Sequence, residues 1–162
     1  MAEVTKSNLY ATGIPLAKDA CVVIIRTEWN AAIVDELEKG ARKILNEHKI
    51  KAVTTVTVPG CVEIPFGIKN YWEKTKNKKK KKPDVFIALG TVIRGDTPHF
   101  DYVCKAVTEG IVQLNLMLPV PTIFGILTVN NQQQAEERIG GKHGHKGEEA
   151  ALTALKMLNL IL

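Results

Sequence analysis

The sequence predicts an α/β protein: a three-layer sandwich in which a central, largely parallel sheet of four strands is flanked by helices. Three observations carry this expectation. Short apolar runs alternate along the chain with segments of helical periodicity. Val85, Phe86, Ile87, Ala88 and Leu89 are uninterruptedly apolar, as in a strand covered on both faces. Proline and glycine punctuate the runs at Pro59, Gly60, Pro83, Pro98 and Pro121. With 162 residues, 45% of them hydrophobic, the chain is the size of one domain and can bury a full core, so residues 1–162 are expected to form a single domain.

Residues 1–18 are weakly patterned and are expected to form an N-terminal arm, either mobile or paired with a neighbouring subunit. The first strand is expected at Ala20 to Ile25. Asn30 fits the cap of the following helix, in which Ile33, Val34, Leu37, Ala41, Ile44 and Leu45 recur at helical spacing. A second strand, Ala52 to Val58, stops at Pro59 and Gly60, and a second helix runs from about Pro65 to Lys74. The lysine loop then returns the chain to the central strand. Beyond Pro98 a third helix carries Val103, Ala106, Val107, Gly110, Ile111 and Leu114. Pro121 to Val129 reads as the fourth strand, and two more helices are expected around Gln132 to Ile139 and Gly147 to Leu160. There is no internal repeat.

The formal net charge of +5 equals the five consecutive lysines Lys78 to Lys82, so elsewhere the charges balance. Followed by Pro83 and Asp84, and without interleaved aromatics, this run reads as a solvated loop; nucleic-acid or membrane contact is the minority reading. Cys21, Cys61 and Cys104 form no C-x-x-C pair and leave one thiol over, which argues against a disulfide framework and for a reducing compartment. The histidines His48, His99, His143 and His145 show no helical metal pair, and the last two, flanking Gly144, read as loop residues. No apolar run approaches the ~18 residues of a membrane span, and a cytoplasmic protein is expected.

In parallel sheets, ligands collect at the carboxyl ends of the strands. The first exit carries Arg26, Thr27, Glu28, Trp29 and Asn30, an aromatic plate at a helix start. The second carries Pro59, Gly60, Cys61, Val62 and Glu63, bare backbone with one carboxylate. The third, from Gly90 to His99, is expected to bring backbone close to a ligand at Gly90 and Gly95. Open N–H groups at Gly95, Asp96 and Thr97 would face an anion, with His99 in reach. The fourth ends near Thr128, with Phe124 inside the strand. Together these suit a flat polar ring, a polyhydroxyl chain and a phosphate. Taken singly, Trp29 fits a core position equally well, Phe124 reads as core, Arg138 as an exposed helix charge, and Trp72 as packing.

The ordered motifs resemble the lumazine synthase family over nearly the whole chain. They are W-N at Trp29 and Asn30, V-P-G-C-V-E-I-P from Val58, G-T-V-I-R-G-D-T-P-H-F-D-Y-V from Gly90, P-T-I-F-G-I-L-T from Pro121, and Q-A-E-E-R-I-G-G-K-H-G-H-K-G-E-E-A-A from Gln134. The resemblance implies a flavodoxin-like sandwich. It implies condensation of 5-amino-6-(D-ribitylamino)uracil with 3,4-dihydroxy-2-butanone 4-phosphate, without metal or organic cofactor. It further implies homopentamers with shared active sites, in some members closed into a 60-subunit icosahedral shell, and possible association with riboflavin synthase. The short Gly140 to Gly147 segment lacks the insertion of members that stop at pentamers. A plastid location would need a removed targeting segment. A flavodoxin-like nucleotide-binding module, a noncatalytic scaffold and an archaeal-type riboflavin synthase are the rivals.

Carried over residue by residue, His99 is the catalytic histidine. Trp29, Asn30, Cys61, Val62, Glu63, Thr91, Val92, Ile93, Phe124 and Lys146 serve the uracil and ribityl groups. Asp96, Thr97 and Arg138 serve the phosphate ester. Trp29 stands where an aromatic, often phenylalanine, stacks on the pyrimidine, an exchange that stacking tolerates. Phe124 resembles a residue supplied by a neighbouring subunit. Asp96 departs from the small neutral residue usual there, and its side chain is expected to point outward and cap the helix while its N–H serves the anion. Cys61 is expected to act through its backbone, and Arg94 is left outside the site.

Overall fold

A computed structural model of the chain describes residue 14, residues 17–80 and residues 82–161. The arm expected for residues 1–18 lies largely outside these, as does Lys81 of the lysine run. The strands are β1 (Cys21–Thr27), β2 (Ala52–Val58), β3 (Val85–Ile93) and β4 (Thr122–Val129). The helices are α1 (Ala31–Glu47), α2 (Ile64–Thr75), α3 (His99–Met117), α4 (Gln132–Glu136) and α5 (Lys146–Leu158). The four main strands form one parallel sheet in the order β2-β1-β3-β4.

Alternation along the strands builds the two cores. Val22, Ile24, Val85, Ile87 and Leu89 point to one face and meet Ile33, Leu37, Ile44, Leu152 and Leu155 of α1 and α5. Val23, Ile25, Phe86 and Ala88 point to the other and meet Ile64, Ile68, Trp72, Val107 and Ile111 of α2 and α3. This two-sided cover explains why β3 is continuously apolar, and Trp72 is a packing residue as expected.

Two sequence expectations need correction. Asn30 occupies the N-cap position of α1, but its backbone is left-handed (φ 57°) and its side chain makes no cap bond. A helix from Gln132 to Ile139 does not form either. α4 ends at Glu136, and the chain enters a small antiparallel hairpin, β5 (Ile139–Gly141) and β6 (Gly144–His145). Gly140 (φ 105°) and Gly144 (φ 85°) adopt positive φ, which breaks helical continuation and fits a tight turn.

Candidate active site

The order β2-β1-β3-β4 reverses at β1, whose successor β2 lies on one side and β3 on the other. The crevice beyond the ends of β1 and β3 is therefore the place where an α/β sheet offers room for a ligand. There Trp29, Asn30, Gly60, Cys61, Val62, Glu63, Thr91, Val92, Ile93, His99 and Val103 line a cleft of ≈ 450 Å³, within the usual range for small-molecule pockets.

Backbone bonds fix its rim. Glu28 N–H donates to the Val58 carbonyl and Trp29 N–H to that of Pro59, tying the first two strand exits together. The indole is 73% exposed, so Trp29 is not a core residue. A Cβ on Gly60 would stand 3.0 Å from Glu63 Oε2 and 3.6 Å from Trp29 Cδ1, so the bare glycine lets plate and carboxylate converge. The pairing of β1 with β3 stops at Arg26 and Leu89, whereas β3 continues beside β4 to Ile93 and Val129. The β1-facing edge of Gly90–Ile93 is thus left without a strand partner, and its main-chain groups face the cleft. Asn30 takes one of them, its Nδ2 donating to the Thr91 carbonyl at 2.8 Å. The buried Thr91 hydroxyl has no partner among the described residues.

A packing contact accounts for glycine at position 90. A Cβ there would lie 2.7 Å from Cys61 Sγ. Burial, reinforced by the nearby Cys104, pushes the Cys61 thiol up to about 12, so it stays protonated at neutral pH and is a poor nucleophile. His99, exposed, opens α3, and its N–H approaches the Thr97 hydroxyl at 3.4 Å. The N–H groups of Gly95, Asp96 and Thr97 find no acceptor among the described residues. Asp96 is exposed, as expected, but the N-cap of α3 is Pro98 and no side chain caps that helix. Two arginines at the strand exits are occupied elsewhere. Arg26 pairs with Asp35 and Glu38 of α1. Arg94 pairs with Asp101 at 3.0 Å and stacks on Phe100.

The remaining expected residues border a different surface, along the open edge of β4. Phe124 and Lys146 line one groove, and Arg138, His143 and Lys146 line its continuation. Phe124 is half-buried rather than core. Arg138 is not an exposed helix charge. It leads into the hairpin, where Nη1 and Nη2 donate to Oε1 and Oε2 of Glu149 at 2.9 and 2.8 Å, and Nη1 also donates to the His143 carbonyl. Burial lowers the Lys146 pKa, with Arg138 adding to the effect and Glu149 opposing it. Glu149 is an orienting group that sequence reasoning missed, whereas Asn30 was expected at the site and only the bond of its amide to Thr91 was not. The chain carried no spacing signal for the first.

Residues 19–161 match the family model for 6,7-dimethyl-8-ribityllumazine synthase. The protein of that name from Parabacteroides distasonis is 47% identical over 148 residues, covering 90% of this chain and 89% of the relative. Those from Porphyromonas gingivalis and Bacteroides fragilis are 48% and 45% identical, covering 91% and 85% of this chain and 89% and 94% of theirs. The chain belongs to the 6,7-dimethyl-8-ribityllumazine synthase family, transferases of riboflavin biosynthesis.

Proposed function

We propose that the Trp29–His99 cleft binds 5-amino-6-(D-ribitylamino)uracil and condenses it with 3,4-dihydroxy-2-butanone 4-phosphate. The observation that carries this reading is the stretch of β3 beyond Leu89 that no strand covers on its β1 side, lining one cleft with an exposed indole. A planar ring with amide-like donors and acceptors can bond that edge while stacking on Trp29. Asn30 holds the edge in place. Cys61 and Val62 supply the backbone floor, and the Glu63 carboxylate accepts from ribityl hydroxyls.

The amine attacks the ketone, and loss of water gives an imine. Elimination then releases phosphate, and ring closure expels a second water. Each step moves a proton, and His99, exposed at the cleft mouth, is the group that exchanges it with solvent. Orientation supplies much of the remainder, since holding two reactants together lowers a barrier by as much as ~7–11 kcal/mol.

The phosphate goes to Arg138, assisted by the free N–H groups at Asp96 and Thr97 and by Lys146. A guanidinium has five N–H donors. Glu149 takes two of them and the His143 carbonyl a third, leaving Nε–H and one Nη2–H. Those two are parallel by covalent geometry, a fork matched to two phosphate oxygens. Arg138, Phe124 and Lys146 border a separate groove from His99, which supports a site shared between adjacent copies, as in a homopentamer. A 60-subunit shell, association with riboflavin synthase and a cytoplasmic location are further parts of the proposal. Mixing the two substrates with the protein and following lumazine formation spectroscopically tests it. No acceleration over the uncatalysed mixture would refute it.

A further inference from the structure

We propose that His145 is a pH-sensitive positioning residue whose uncharged imidazole holds the start of α5, and with it Lys146 and Glu149, in register for anion binding at Arg138. The inference rests on the reading of Arg138 and Lys146 given above and names a control on that site.

His145 is the N-cap of α5. Its Nδ1 accepts from Gly147 N–H at 3.2 Å and from Glu148 N–H at 3.4 Å, the second and third positions of the helix, where a capping acceptor is needed. The role is unusual for histidine because it requires Nδ1 to be bare, with the ring proton on Nε2. Protonation places a hydrogen on both nitrogens, and no ring rotation can then restore the acceptor. The helix start loses its cap and faces a cation at its positive end.

The surroundings are built for this ring. A Cβ on Gly40, in the middle of α1, would lie 2.1 Å from His145 Cε1, so the imidazole lies against bare helix backbone. A Cβ on Gly147 would lie 1.9 Å from the Leu37 carbonyl, so the first turn of α5 touches α1 directly. A glycine inside a helix is unfavourable, and Gly40 has no left-handed backbone to justify it; the ring does. The charged groups facing His145 are Glu36 and Lys43 from α1 and Glu148 from α5, with Lys43 bonded to Glu148 at 2.9 Å. Burial opposes protonation, and Lys43 adds to it, while the two glutamates act in the other direction; the net effect lowers the His145 pKa below its ordinary value.

The sign follows. Because the folded-state pKa is depressed, the cap contributes in full above the unfolded value of ~6.5 and is lost as pH falls through the folded value. Lys146 is the first residue of α5, and Glu149, in the same turn, grips Arg138. Loosening that turn releases both from their positions.

The test compares the wild-type protein with His145→Asn, in which an amide oxygen caps without titrating. KM for the phosphate ester, kcat and the midpoint of thermal unfolding are measured between pH 8 and pH 5.5. The ester's own titration is common to both proteins and cancels in their ratio. The ratio of wild-type to variant KM is expected to rise on acidification, by up to about 5-fold, the equivalent of one fully lost cap, with little change in the kcat ratio. The unfolding midpoint of the wild type is expected to fall relative to the variant over the same interval. A constant offset in both quantities would mean a cap that does not titrate, and superimposable profiles would mean no cap; either overturns the proposal. The unfolding arm needs no substrate. If it shows the pH-dependent gap while an inorganic phosphate titration finds no binding to Arg138, the phosphate-site reading fails and the link to that site falls with it, leaving only the titrating cap.

Discussion

Replacing Gly40 with alanine should destabilise the protein, against the sign that helix propensity alone dictates. In an ordinary helix interior the exchange is favourable by about 1 kcal/mol, because alanine restricts the unfolded chain and glycine does not. Here the new methyl would meet three imidazole atoms of His145 at 2.1–2.6 Å, far inside contact distance. The ring must leave. Its departure removes a cap of about 1 kcal/mol, and refitting the α1–α5 contact adds an overpacking penalty of about 1–3 kcal/mol. The propensity gain offsets roughly the cap, so the net loss is about 1–3 kcal/mol, or about 2–12 °C in Tm for a domain of this size. Unfolding by urea and by heat would measure it. The sign is the diagnostic. In a His145→Ala background no ring opposes the methyl, and Gly40→Ala should then stabilise by up to about 1 kcal/mol, a coupling that a double-mutant cycle isolates. A Gly40→Ala protein more stable than wild type, or one with the same effect in both backgrounds, would refute the reasoning.

Arg138→Ala should raise KM for the phosphate ester by about 10- to 150-fold, the worth of charge-assisted hydrogen bonds, and turnover should return at saturating ester. Unchanged KM would remove Arg138 from the phosphate site. His99→Ala should lower kcat by about 10²-fold, the lower end of the range for acid–base catalysis, yet leave a rate above background because orientation survives. Loss of all measurable rate in a folded variant would show that proton transfer dominates. With its pKa near 12, Cys61 should be about 10⁻⁴ thiolate at pH 8 and react with an aromatic disulfide reagent far more slowly than the partly exposed Cys104. Mass-spectrometric mapping that found Cys61 modified first would contradict the burial argument.

What the sequence disclosed and what it concealed divide along physical lines. Period-two and period-3.6 patterns are local, so β2 was placed residue for residue and α1 to its buried face. β3 was legible as a strand because both of its sides are covered, but Gly90 looked like its end. The strand in fact runs to Ile93, since β4 continues to pair with it. The hairpin after α4 was missed although Gly140, Gly141 and Gly144 stand around Lys142 and His143, a turn signal outweighed by the helical look of Gln132–Glu136. Asn30 was recognised as a boundary residue. Its reach across to Thr91, 61 positions away, could not be read from spacing. The same holds for Glu149 on Arg138 and for His145 on Gly40, contacts between elements that only the packing of α5 on α1 creates.

The division of the expected residues into two surfaces follows from strand order. Trp29 and His99 follow β1 and β3, which are neighbours, so their loops must meet over one crevice. Arg138 and Lys146 come after β4, the last strand on that side, and they line the grooves beside β4 rather than the crevice. A ligand spanning an aromatic plate and a guanidinium fork thus favours two copies of the chain, one presenting its crevice and the other its β4 edge. Dilution provides the corresponding measurement: turnover should fall in parallel with dissociation of the assembly, and full specific activity in a monomer would show that one chain brings both surfaces together.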